Sequence, residues 1–330
     1  MPMPALPAQD ERADADMQRV LRQLAAFHAP PLPTLTPRVA RELPSFANAL
    51  QATLSAQGKP CIEPVAKVAH KVIDGPGGQI LLRIYTPHGE APFPVTLYFH
   101  GGGFVIANLD TYDAAPRSLC NGAGTIVVSV AYRQAPEHPF PAAALDAFAA
   151  YRWALANAGS IGGDPKRIAV SGESAGGNLA TVTALQARDH GIKAPVHQLL
   201  VYPVTNLVKG PPPPSYRQNT TTIPLATPAL AWFGKYYLSD SSQAANPLAS
   251  PIRAKLAGLP PATIINADLD PLRDDGMIYA AKLKAADVRV TRSVYKGVTH
   301  EFFGMGAAVA KARLAMEEAT TALKTSFNAS

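Results

Sequence analysis

The sequence predicts an α/β fold in which a mostly parallel, eight-stranded sheet is covered by helices on both faces. From Val65 onwards, short apolar runs rich in β-forming residues alternate with helical sequences. Such alternation is typical of parallel strands joined by crossover helices. Hydrophobic residues make up 47% of the chain and charged residues 16%, which indicates a folded globular protein. Ligands bind at the carboxyl ends of the strands in such sheets, so we expect the functional residues in loops that follow strands.

The first 58 residues predict helices that lie outside the sheet. Met17, Val20 and Leu21 are spaced to lie on one face of a helix. After a proline-rich link, Thr36-Pro37 is typical of a second helix start, with threonine as the N-cap and proline at the first helical position. Residues 1–58 are therefore interpreted as a separate helical segment.

Eight strands follow this segment. They are predicted near residues 65–73, 79–86, 94–100, 125–131, 167–171, 197–202, 262–267 and 288–295. The later strands alternate with helices near residues 111–122, 141–158, 174–189, 272–286 and 307–326. Between the first two strands, Asp74-Gly75-Pro76-Gly77-Gly78 is typical of a tight turn, so these strands are expected to pair antiparallel.

One insertion, residues 204–250, interrupts the alternation. Its proline-rich run at residues 209–214 predicts an extended loop. Thr227-Pro228 predicts another N-cap and first helical position, and the helix that follows carries aromatic residues that include Trp232 and Phe233. Two interpretations remain open for this helix: packing against the sheet domain, or lining a ligand pocket.

Charge and cysteine content exclude several classes of protein. The net charge is +6, but the lysines and arginines are scattered, so no nucleic acid is expected as a partner. Cys61 and Cys120 match no metal-binding spacing and no disulfide framework, which favours a reducing, cytoplasmic location. The N-terminal residues lack a secretory pattern, and no apolar run of about 18 residues predicts a membrane span.

The pattern Gly172-x-Ser174-x-Gly176 lies between a predicted strand and a predicted helix. Strand, sharp turn and helix with serine at the apex form the context of a nucleophile elbow. The serine of such an elbow has a strained backbone, and side chains two positions away would collide with neighbouring elements, which favours glycine there. An ordinary turn made of small residues is the alternative for this motif taken alone.

A run of three glycines, Gly101-Gly102-Gly103, follows His100 at the end of an earlier predicted strand. Three glycines allow bare backbone N–H groups to converge on one point. A nucleophilic serine needs such donors, because its attack builds negative charge on the carbonyl oxygen of the substrate. A phosphate cradle or a simple turn would also use glycines, but no Gly-Lys-Ser/Thr follows, so the phosphate cradle is disfavoured.

Two further loops after strands supply an aspartate and a histidine. Asp268 and Asp270 both lie just beyond a predicted strand, and either carboxylate could orient a histidine. Asp274 and Asp275 fall in the first turn of the next helix, where a favourable interaction with the helix dipole explains them. Among eight histidines, only His300 follows a strand, lies after the aspartates and precedes the terminal helix.

Motifs for other chemistry are absent from the sequence. No H-E-x-x-H pattern or His/Asp/Glu cluster has metal-ligand spacing, so no metal is expected. No G-x-G-x-x-G opens a helix, so no dinucleotide or other cofactor is expected.

Five sequence blocks together resemble the hormone-sensitive-lipase-like esterases, the bacterial family IV carboxylesterases of the α/β-hydrolase fold. The blocks begin at His100, Tyr132, Gly172, Asp270 and His300 and read HGGGF, YRQAPEHPFPAA, GESAGGN, DPLRDDG and HEF. They occur in the family's order within about residues 65–326.

The resemblance implies two domains and an α/β-hydrolase fold with a helical cap. The implied cap segments are residues 1–58 and 204–250, the second inserted before the seventh strand, and the implied catalytic domain is residues 59–203 and 251–330.

The resemblance also assigns roles to residues. Ser174 is implied as the nucleophile, His300 as the general base and acid, and Asp270, the first aspartate of its block, as the orienting carboxylate. The backbone N–H groups implied to form the oxyanion hole are those of Gly102, Gly103 and Ala175. His100 is expected to hold the glycine loop through its side chain. The family usually has aspartate where this chain has Glu173, a residue whose purpose stays open.

The sequence therefore predicts a serine carboxylesterase that hydrolyses small, short-chain carboxylic esters through an acyl-enzyme on Ser174. The same triad could cleave an amide, a lactam or a thioester. A non-catalytic small-molecule receptor is the rival from another class, and it is disfavoured because no member of the triad is missing. The resemblance further implies a homodimer, with the strand near residues 288–295 as the expected edge contact.

Overall fold

One eight-stranded sheet runs through the protein, whose computed structural model describes residues 10–329. The strands are β1 (Lys67–Gly75), β2 (Gly78–Thr86), β3 (Phe93–Phe99), β4 (Ile126–Ala131), β5 (Gly163–Glu173), β6 (Gln198–Val201), β7 (Ala262–Leu269) and β8 (Val290–Thr299). Their spatial order is β1-β2-β4-β3-β5-β6-β7-β8. The pairs β1–β2 and β2–β4 are antiparallel and the other five are parallel, so the predicted mostly parallel sheet is confirmed.

Ten α-helices are formed by the described residues. They are α1 (Ala15–Ala26), α2 (Pro37–Glu42), α3 (Phe46–Ala56), α4 (Ala114–Ala123), α5 (Ala142–Asn157), α6 (Ala175–Asp189), α7 (Pro214–Gln218), α8 (Thr227–Tyr237), α9 (Arg273–Ala285) and α10 (Ala310–Asn328). None of these helices is both long and apolar enough to cross a bilayer. Of the predicted segments, residues 1–9 and residue 330 lie outside the described part of the chain.

The sheet separates two apolar layers because side chains alternate between the faces of each strand. In β3, Leu97 and Phe99 belong to one layer and Tyr98 to the other. Helices α5, α6 and α9 cover the first face, whereas α1, α3, α4 and α10 cover the second. Both faces of the central strands are therefore buried, as expected for a parallel sheet between helices.

Among the strands that extend further than their sequence patterns indicate, two lead directly into predicted site residues. β5 runs on through Glu173, so Ser174 follows the strand directly. β8 runs on through Thr299, so His300 follows that strand directly as well. Pairing with neighbouring strands extends both elements beyond their apolar runs, and it brings both polar residues to the carboxyl edge of the sheet.

The two predicted helix starts have different outcomes. Thr36 is the N-cap of α2, and its hydroxyl accepts a hydrogen bond from the Val39 N–H at 3.4 Å. The same prediction for Thr227 is wrong by one residue, because α8 begins at Thr227 and Ala226 is its N-cap. The Thr227 hydroxyl instead donates to the Tyr216 carbonyl oxygen at 2.5 Å.

Candidate active site

Ser174 lies at the apex of a sharp turn between β5 and α6 and is 5% exposed. Its backbone has φ +57° and ψ −117°, a conformation that non-glycine residues rarely adopt. A Cβ atom on Gly172 would lie 2.2 Å from the Gly176 carbonyl oxygen, and one on Gly176 would lie 1.8 Å from the Phe99 carbonyl oxygen. Both neighbours are backbone atoms that cannot move aside, so the turn requires both glycines.

The glycine loop after β3 presents backbone donors beside this turn. Gly102 and Gly103 have φ values of +96° and +58°, which favour glycine. The Gly102 carbonyl oxygen accepts hydrogen bonds from two N–H groups within the loop, those of Val105 at 3.0 Å and Ile106 at 2.9 Å. Within residues 10–329, the N–H groups of Gly102, Gly103 and Ala175 have no acceptor. Backbone donors that have no other acceptor can stabilise an oxygen that carries negative charge.

His100 holds this loop from behind. It is 2% exposed, and its Nδ1 lies 2.8 Å from the Gly101 carbonyl oxygen. The Tyr132 ring stacks on the imidazole at 4.4 Å between centroids, and the Tyr132 hydroxyl donates to the His100 carbonyl oxygen at 2.8 Å. Burial lowers the pKa of His100 to about 4, so this imidazole is neutral near pH 7.

Asp270 and His300 form a buried pair at the ends of β7 and β8. Asp270 is fully buried, and its Oδ2 lies 2.7 Å from His300 Nδ1. Its other oxygen accepts the Leu272 N–H at 2.8 Å, which fixes the carboxylate. Burial alone would lower the pKa of His300, but the charge of Asp270 and this hydrogen bond outweigh it, so the pKa is raised.

The other three aspartates of this region have structural partners. Asp268 is partly exposed and pairs with Arg273 at 3.2 Å. Asp274 accepts the Ser215 N–H at 2.8 Å, and Asp275 is buried with the Tyr216 hydroxyl as a hydrogen-bond partner. Asp274 and Asp275 do lie in the first turn of α9, as predicted, but they also bind α7 of the inserted segment. The helix dipole is therefore an incomplete explanation of these two residues.

Helix α8 lies over the glycine loop. A Cβ atom on Gly103 would lie 2.1 Å from the Phe233 ring, so this ring contacts the loop directly. The Tyr237 ring stacks on Phe104 with 3.8 Å between centroids. Trp232 of the same helix contacts the N-terminal segment, where its Nε1 donates to the Leu35 carbonyl oxygen at 2.9 Å. Helix α8 thus packs on the sheet domain, touches the N-terminal segment and also borders the site.

Arg41 of α2 is a contact that sequence patterns do not reveal. Its Nε donates to the Val105 carbonyl oxygen at 2.8 Å, and its Nη2 donates to the Ala135 carbonyl oxygen at 2.7 Å. The guanidinium also binds both carboxylate oxygens of Glu137 at 2.8 Å. A residue of the N-terminal segment therefore supports the glycine loop. No local pattern marks Arg41, because its partners are far away in the sequence.

Glu173 also has partners that the sequence does not show. It is 1% exposed, and its two carboxylate oxygens accept hydrogen bonds from the hydroxyls of Tyr98 and Tyr202. Burial raises the pKa of Glu173 to about 7, although both tyrosine hydrogen bonds act to lower it. The residue before Ser174 is thus a buried acid held by two phenols.

A cavity of about 1010 Å³ lies between α3, α4 and α10. Glu173, Glu301 and Tyr112 form part of its wall, whereas Ser174 and His300 do not. The Tyr112 hydroxyl donates to Glu301 at 3.1 Å. Glu173 and Glu301, which line the cavity, directly precede Ser174 and directly follow His300 in the chain.

The three residues of the predicted triad lie in three loops at the carboxyl edge of the sheet, after β5, β7 and β8. Asp270 and His300 are hydrogen-bonded, and Ser174 follows β5, two strands away from β7. No hydrogen bond joins the Ser174 hydroxyl to His300 in the part of the chain that the structure describes. Tyr202 connects the two: its ring lies 4.4 Å from the His300 ring, and the preceding Val201 carbonyl oxygen accepts the Ser174 N–H at 2.9 Å.

Known proteins resemble the chain in sequence and in structure. A protein-family model described as alpha/beta hydrolase fold matches residues 96–304. Esterase LipI of Mycobacterium tuberculosis is 43% identical over 268 residues, which are 80% of this chain and 83% of LipI. The ethyl acetate hydrolase of Pseudomonas putida is 37% identical over 241 residues, which are 72% of this chain and 75% of that enzyme.

Among solved structures, a hyperthermophilic esterase from the archaeon Pyrobaculum calidifontis matches with a TM-score of 0.87 and 39% sequence identity. The match covers 95% of this chain and 98% of that one. The similarity therefore includes the helices outside the sheet as well as the sheet itself.

Proposed function

The chain belongs to the α/β-hydrolase fold family, in its hormone-sensitive-lipase-like branch, and we infer that it is a serine carboxylesterase acting through an acyl-enzyme on Ser174. The observation that carries this inference is the buried Asp270–His300 pair, 2.7 Å apart, at the carboxyl edge of the sheet that also bears the Ser174 turn. A strained serine, an oriented imidazole and free backbone donors are the parts that acyl transfer requires.

In this mechanism His300 Nε2 takes the proton of Ser174 as the hydroxyl oxygen attacks the ester carbonyl carbon. Asp270 accepts a hydrogen bond from Nδ1, which fixes the tautomer and stabilises the imidazolium. The protonated His300 then donates its proton to the leaving alcohol, and the acyl-enzyme remains. Water attacks the acyl-enzyme with the same proton transfers and releases the carboxylic acid.

The oxyanion of each tetrahedral intermediate would lie against the N–H groups of Gly102, Gly103 and Ala175. Their lack of other acceptors within residues 10–329 supports this role. Such donors act in a buried site where little water competes, and one of them is worth about 3 kcal/mol of transition-state stabilisation.

We propose that the preferred substrates are small esters with short acyl chains. The Phe233 ring is in contact with Gly103, which limits the room above the proposed oxyanion hole. The experiment is a hydrolysis profile on p-nitrophenyl esters from acetate to palmitate. Highest kcat/KM on acetate or butyrate is expected, and highest kcat/KM on the long-chain esters would contradict the proposal.

Ser174→Ala is the control for this profile, and kcat should fall about 10⁴- to 10⁶-fold. A fluorophosphonate probe should label the wild-type protein and leave the folded variant unlabelled. Absence of wild-type labelling would favour the receptor that binds without catalysis. Parallel assays on matched amides, lactams and thioesters distinguish the remaining leaving groups, since the same triad serves all of them.

We also propose that residues 1–58 and 204–250 act together as the cap over a catalytic domain of residues 59–203 and 251–330. The hydrogen bond of Trp232 to the Leu35 carbonyl oxygen and the contacts of Arg41 with the glycine loop support this division. Limited proteolysis should cut first in residues 207–213, where the described chain forms no helix or strand. First cleavage within β3–β6 would contradict the division.

A homodimer joined through β8 is proposed as the assembly. β8 is the last strand of the sheet and pairs in the described chain with β7 alone, so its other edge can pair with a second copy. Light scattering should give twice the mass of the 330-residue chain for the wild type and the monomer mass for Val294→Lys, a change at an exposed residue of β8. A monomeric wild type at micromolar concentration would contradict the proposal.

A cytoplasmic location is proposed from the state of the cysteines. Cys61 is exposed and Cys120 is buried, and both are free. Thiols persist in a reducing compartment. Fractionation of cells that produce the protein tests the location, and recovery of the activity from the medium or the periplasm would contradict it.

A further inference from the structure

Glu173 has no part in the reaction described above, although it adjoins the nucleophile. Its carboxylate is buried at the end of β5, and no Lys or Arg side chain pairs with it in the described part of the chain. A carboxylate that loses its water without gaining a cation is uncommon in proteins. Such a group beside the reacting serine therefore requires an explanation.

Tyr202, one of the two phenols that bind Glu173, connects it with His300. The Tyr202 hydroxyl donates to Glu173, while its ring lies 4.4 Å from the His300 ring at an interplanar angle of 46°. Tyr202 has φ +36°, a value that non-glycine residues rarely adopt. Its N–H donates to the Ile265 carbonyl oxygen at 2.6 Å, which ties it to β7.

A single hydrogen bond does not fix the orientation of an imidazole. The covalent bond to Cβ and the hydrogen bond from His300 Nδ1 to Asp270 hold two points of the ring, but the ring can still tilt about the line that joins them. The aromatic face of Tyr202 blocks this motion on one side. The Tyr202 ring is held in turn at its far end by the hydrogen bond to Glu173.

We propose that Glu173 is a positioning residue for His300 and acts through Tyr202, whose ring it holds against the imidazole. This role presupposes the proposed ester hydrolysis by Ser174 and His300. It explains why the carboxylate accepts a hydrogen bond from Tyr202, whereas Tyr98 on β3 completes the binding of the second oxygen without touching His300.

The surroundings of Glu173 are consistent with this assignment. Tyr98 and Tyr202 bind the carboxylate, and Tyr112 lies close to it from the loop before α4. Glu301 and His300 lie close to it after β8. His300 is the one group in this set that becomes cationic during turnover, so a negative charge on Glu173 favours the imidazolium.

Three variants and one double variant test the proposal. Tyr202→Phe keeps the ring and removes the hydroxyl that binds Glu173. Glu173→Gln keeps the shape of the side chain and removes its charge. Tyr98→Phe is the matched control, because it removes the other phenol hydroxyl from Glu173 and leaves Tyr202 in place. Michaelis–Menten constants and melting temperatures are measured for each variant and for Tyr202→Phe combined with Glu173→Gln.

Tyr202→Phe and Glu173→Gln should each lower kcat roughly tenfold, with KM within about twofold of wild type. The double variant should lose no more than the worse single variant, since both changes act on one path to His300. Tyr98→Phe should keep kcat within about twofold even where its melting temperature falls as much as that of Tyr202→Phe.

Equal kcat losses in Tyr98→Phe and Tyr202→Phe, or kcat losses that simply follow the unfolded fraction, would overturn the proposal. If Glu173→Gln does not fold, the comparison of Tyr98→Phe with Tyr202→Phe still tests whether Tyr202 positions His300. Ester hydrolysis and fluorophosphonate labelling of the wild type test the underlying function separately. An active, labelled wild type with an unaffected Tyr202→Phe variant would therefore refute the positioning role alone.

Discussion

Asp268 and Asp270 are two positions apart, yet the fold gives them different chemistry. Asp270 is fully buried and holds His300, whereas Asp268 is partly exposed beside Arg273. A carboxylate supports an imidazolium most strongly where water does not screen the charge. Burial and direct contact therefore favour Asp270, in agreement with the family pattern.

Asp270→Asn is expected to lower kcat about 10⁴-fold, because an amide does not fix the required imidazole tautomer. The acid limb of the kcat/KM profile should also move to lower pH. In the wild type, Asp270 raises the pKa of His300 above 6.5, and activity falls as pH falls through that value because a protonated His300 cannot accept the Ser174 proton. Without this charge, burial lowers the pKa of His300.

The pH dependence of kcat/KM is the measurement for this variant, and Asp268→Asn is its matched control. The control removes the charge of an aspartate two residues away and should leave both kcat and the acid limb unchanged. An equal loss of activity in Asp268→Asn would contradict the assignment.

Gly103→Ala tests the proposed oxyanion hole at one residue. The new Cβ atom would lie 2.1 Å from the Phe233 ring at a residue with φ +58°, so the loop must shift. Its N–H groups would then no longer point at the proposed position of the oxyanion. We expect kcat to fall about 100-fold, the usual effect of losing one oxyanion donor.

Gly124→Ala provides the comparison. Gly124 ends α4 with φ +62°, and a Cβ atom there meets nothing within 4 Å. Both substitutions introduce similar backbone strain, but only Gly103→Ala should reduce kcat. Comparable melting temperatures with unequal kcat would support the proposed donor role, and equal kcat values would refute it.

At the scale of elements, α2 supports the site from outside the sheet domain. Arg41 binds the carbonyl oxygens of Val105 and Ala135, one on the glycine loop and one on the loop after β4. The arginine fork suits this task because it presents several donors in a fixed plane. The N-terminal segment is thus connected to the chemistry by one side chain.

Arg41→Ala should lower kcat about tenfold and reduce the free energy of unfolding by about 1–3 kcal/mol, since the carbonyl oxygens lose their donors. Arg38→Ala is the control from the same helix. Arg38 is highly exposed and pairs weakly with Glu42 at 3.7 Å, so its loss should change neither quantity. Kinetics and urea denaturation of both variants provide the test. Unchanged kcat in Arg41→Ala would show that the helix does not support the site.

At the scale of the whole molecule, four buried groups make stability depend on pH in opposite directions. Burial raises the pKa values of Glu173 and Asp275 to about 7 and lowers those of His100 and His197 to about 4. The stability contributed by the two acids is lost as pH rises towards 7. The stability contributed by the two histidines is present above 6.5 and is lost as pH falls towards 4.

Glu173→Gln removes one of the acids from this balance. A pKa that rises from 4.5 unfolded to about 7 folded corresponds to about 3 kcal/mol, which the wild type loses between those pH values. We subtract the unfolding free energy of the wild type from that of the variant at each pH. This difference should be about 3 kcal/mol more positive at pH 8 than at pH 4.5. Urea denaturation at both pH values measures this difference.

Glu318→Gln is the control for the pH experiment. The Glu318 carboxylate also accepts hydrogen bonds from two hydroxyls, those of Ser293 and Tyr295 at 2.7 Å, but it is only partly buried. Water reaches this carboxylate, so Glu318→Gln should not show the gain at pH 8 that is expected for Glu173→Gln. A Glu173→Gln variant that follows the wild-type pH dependence would contradict the burial argument.

The sequence by itself determined the order of strands and helices, the antiparallel first pair and the loops that carry Ser174 and His300. These features depend on neighbours in the chain, such as alternating apolar residues and the glycines on either side of the nucleophile. A pattern of neighbouring residues is therefore enough to predict them. The sequence also placed Ser174 on a sharp turn, since glycines stand two positions before and two positions after it.

Only the tertiary structure decided which distant side chains support that turn. Tyr98 and Glu173 are 75 residues apart, and Arg41 and Glu137 are 96 residues apart. Such pairs form where strands and helices far apart in the sequence pack together, and neither partner has a spacing that identifies the other. The buried setting of Glu173 is therefore a property of the folded sheet, because the removal of water from its carboxylate requires all the elements around it.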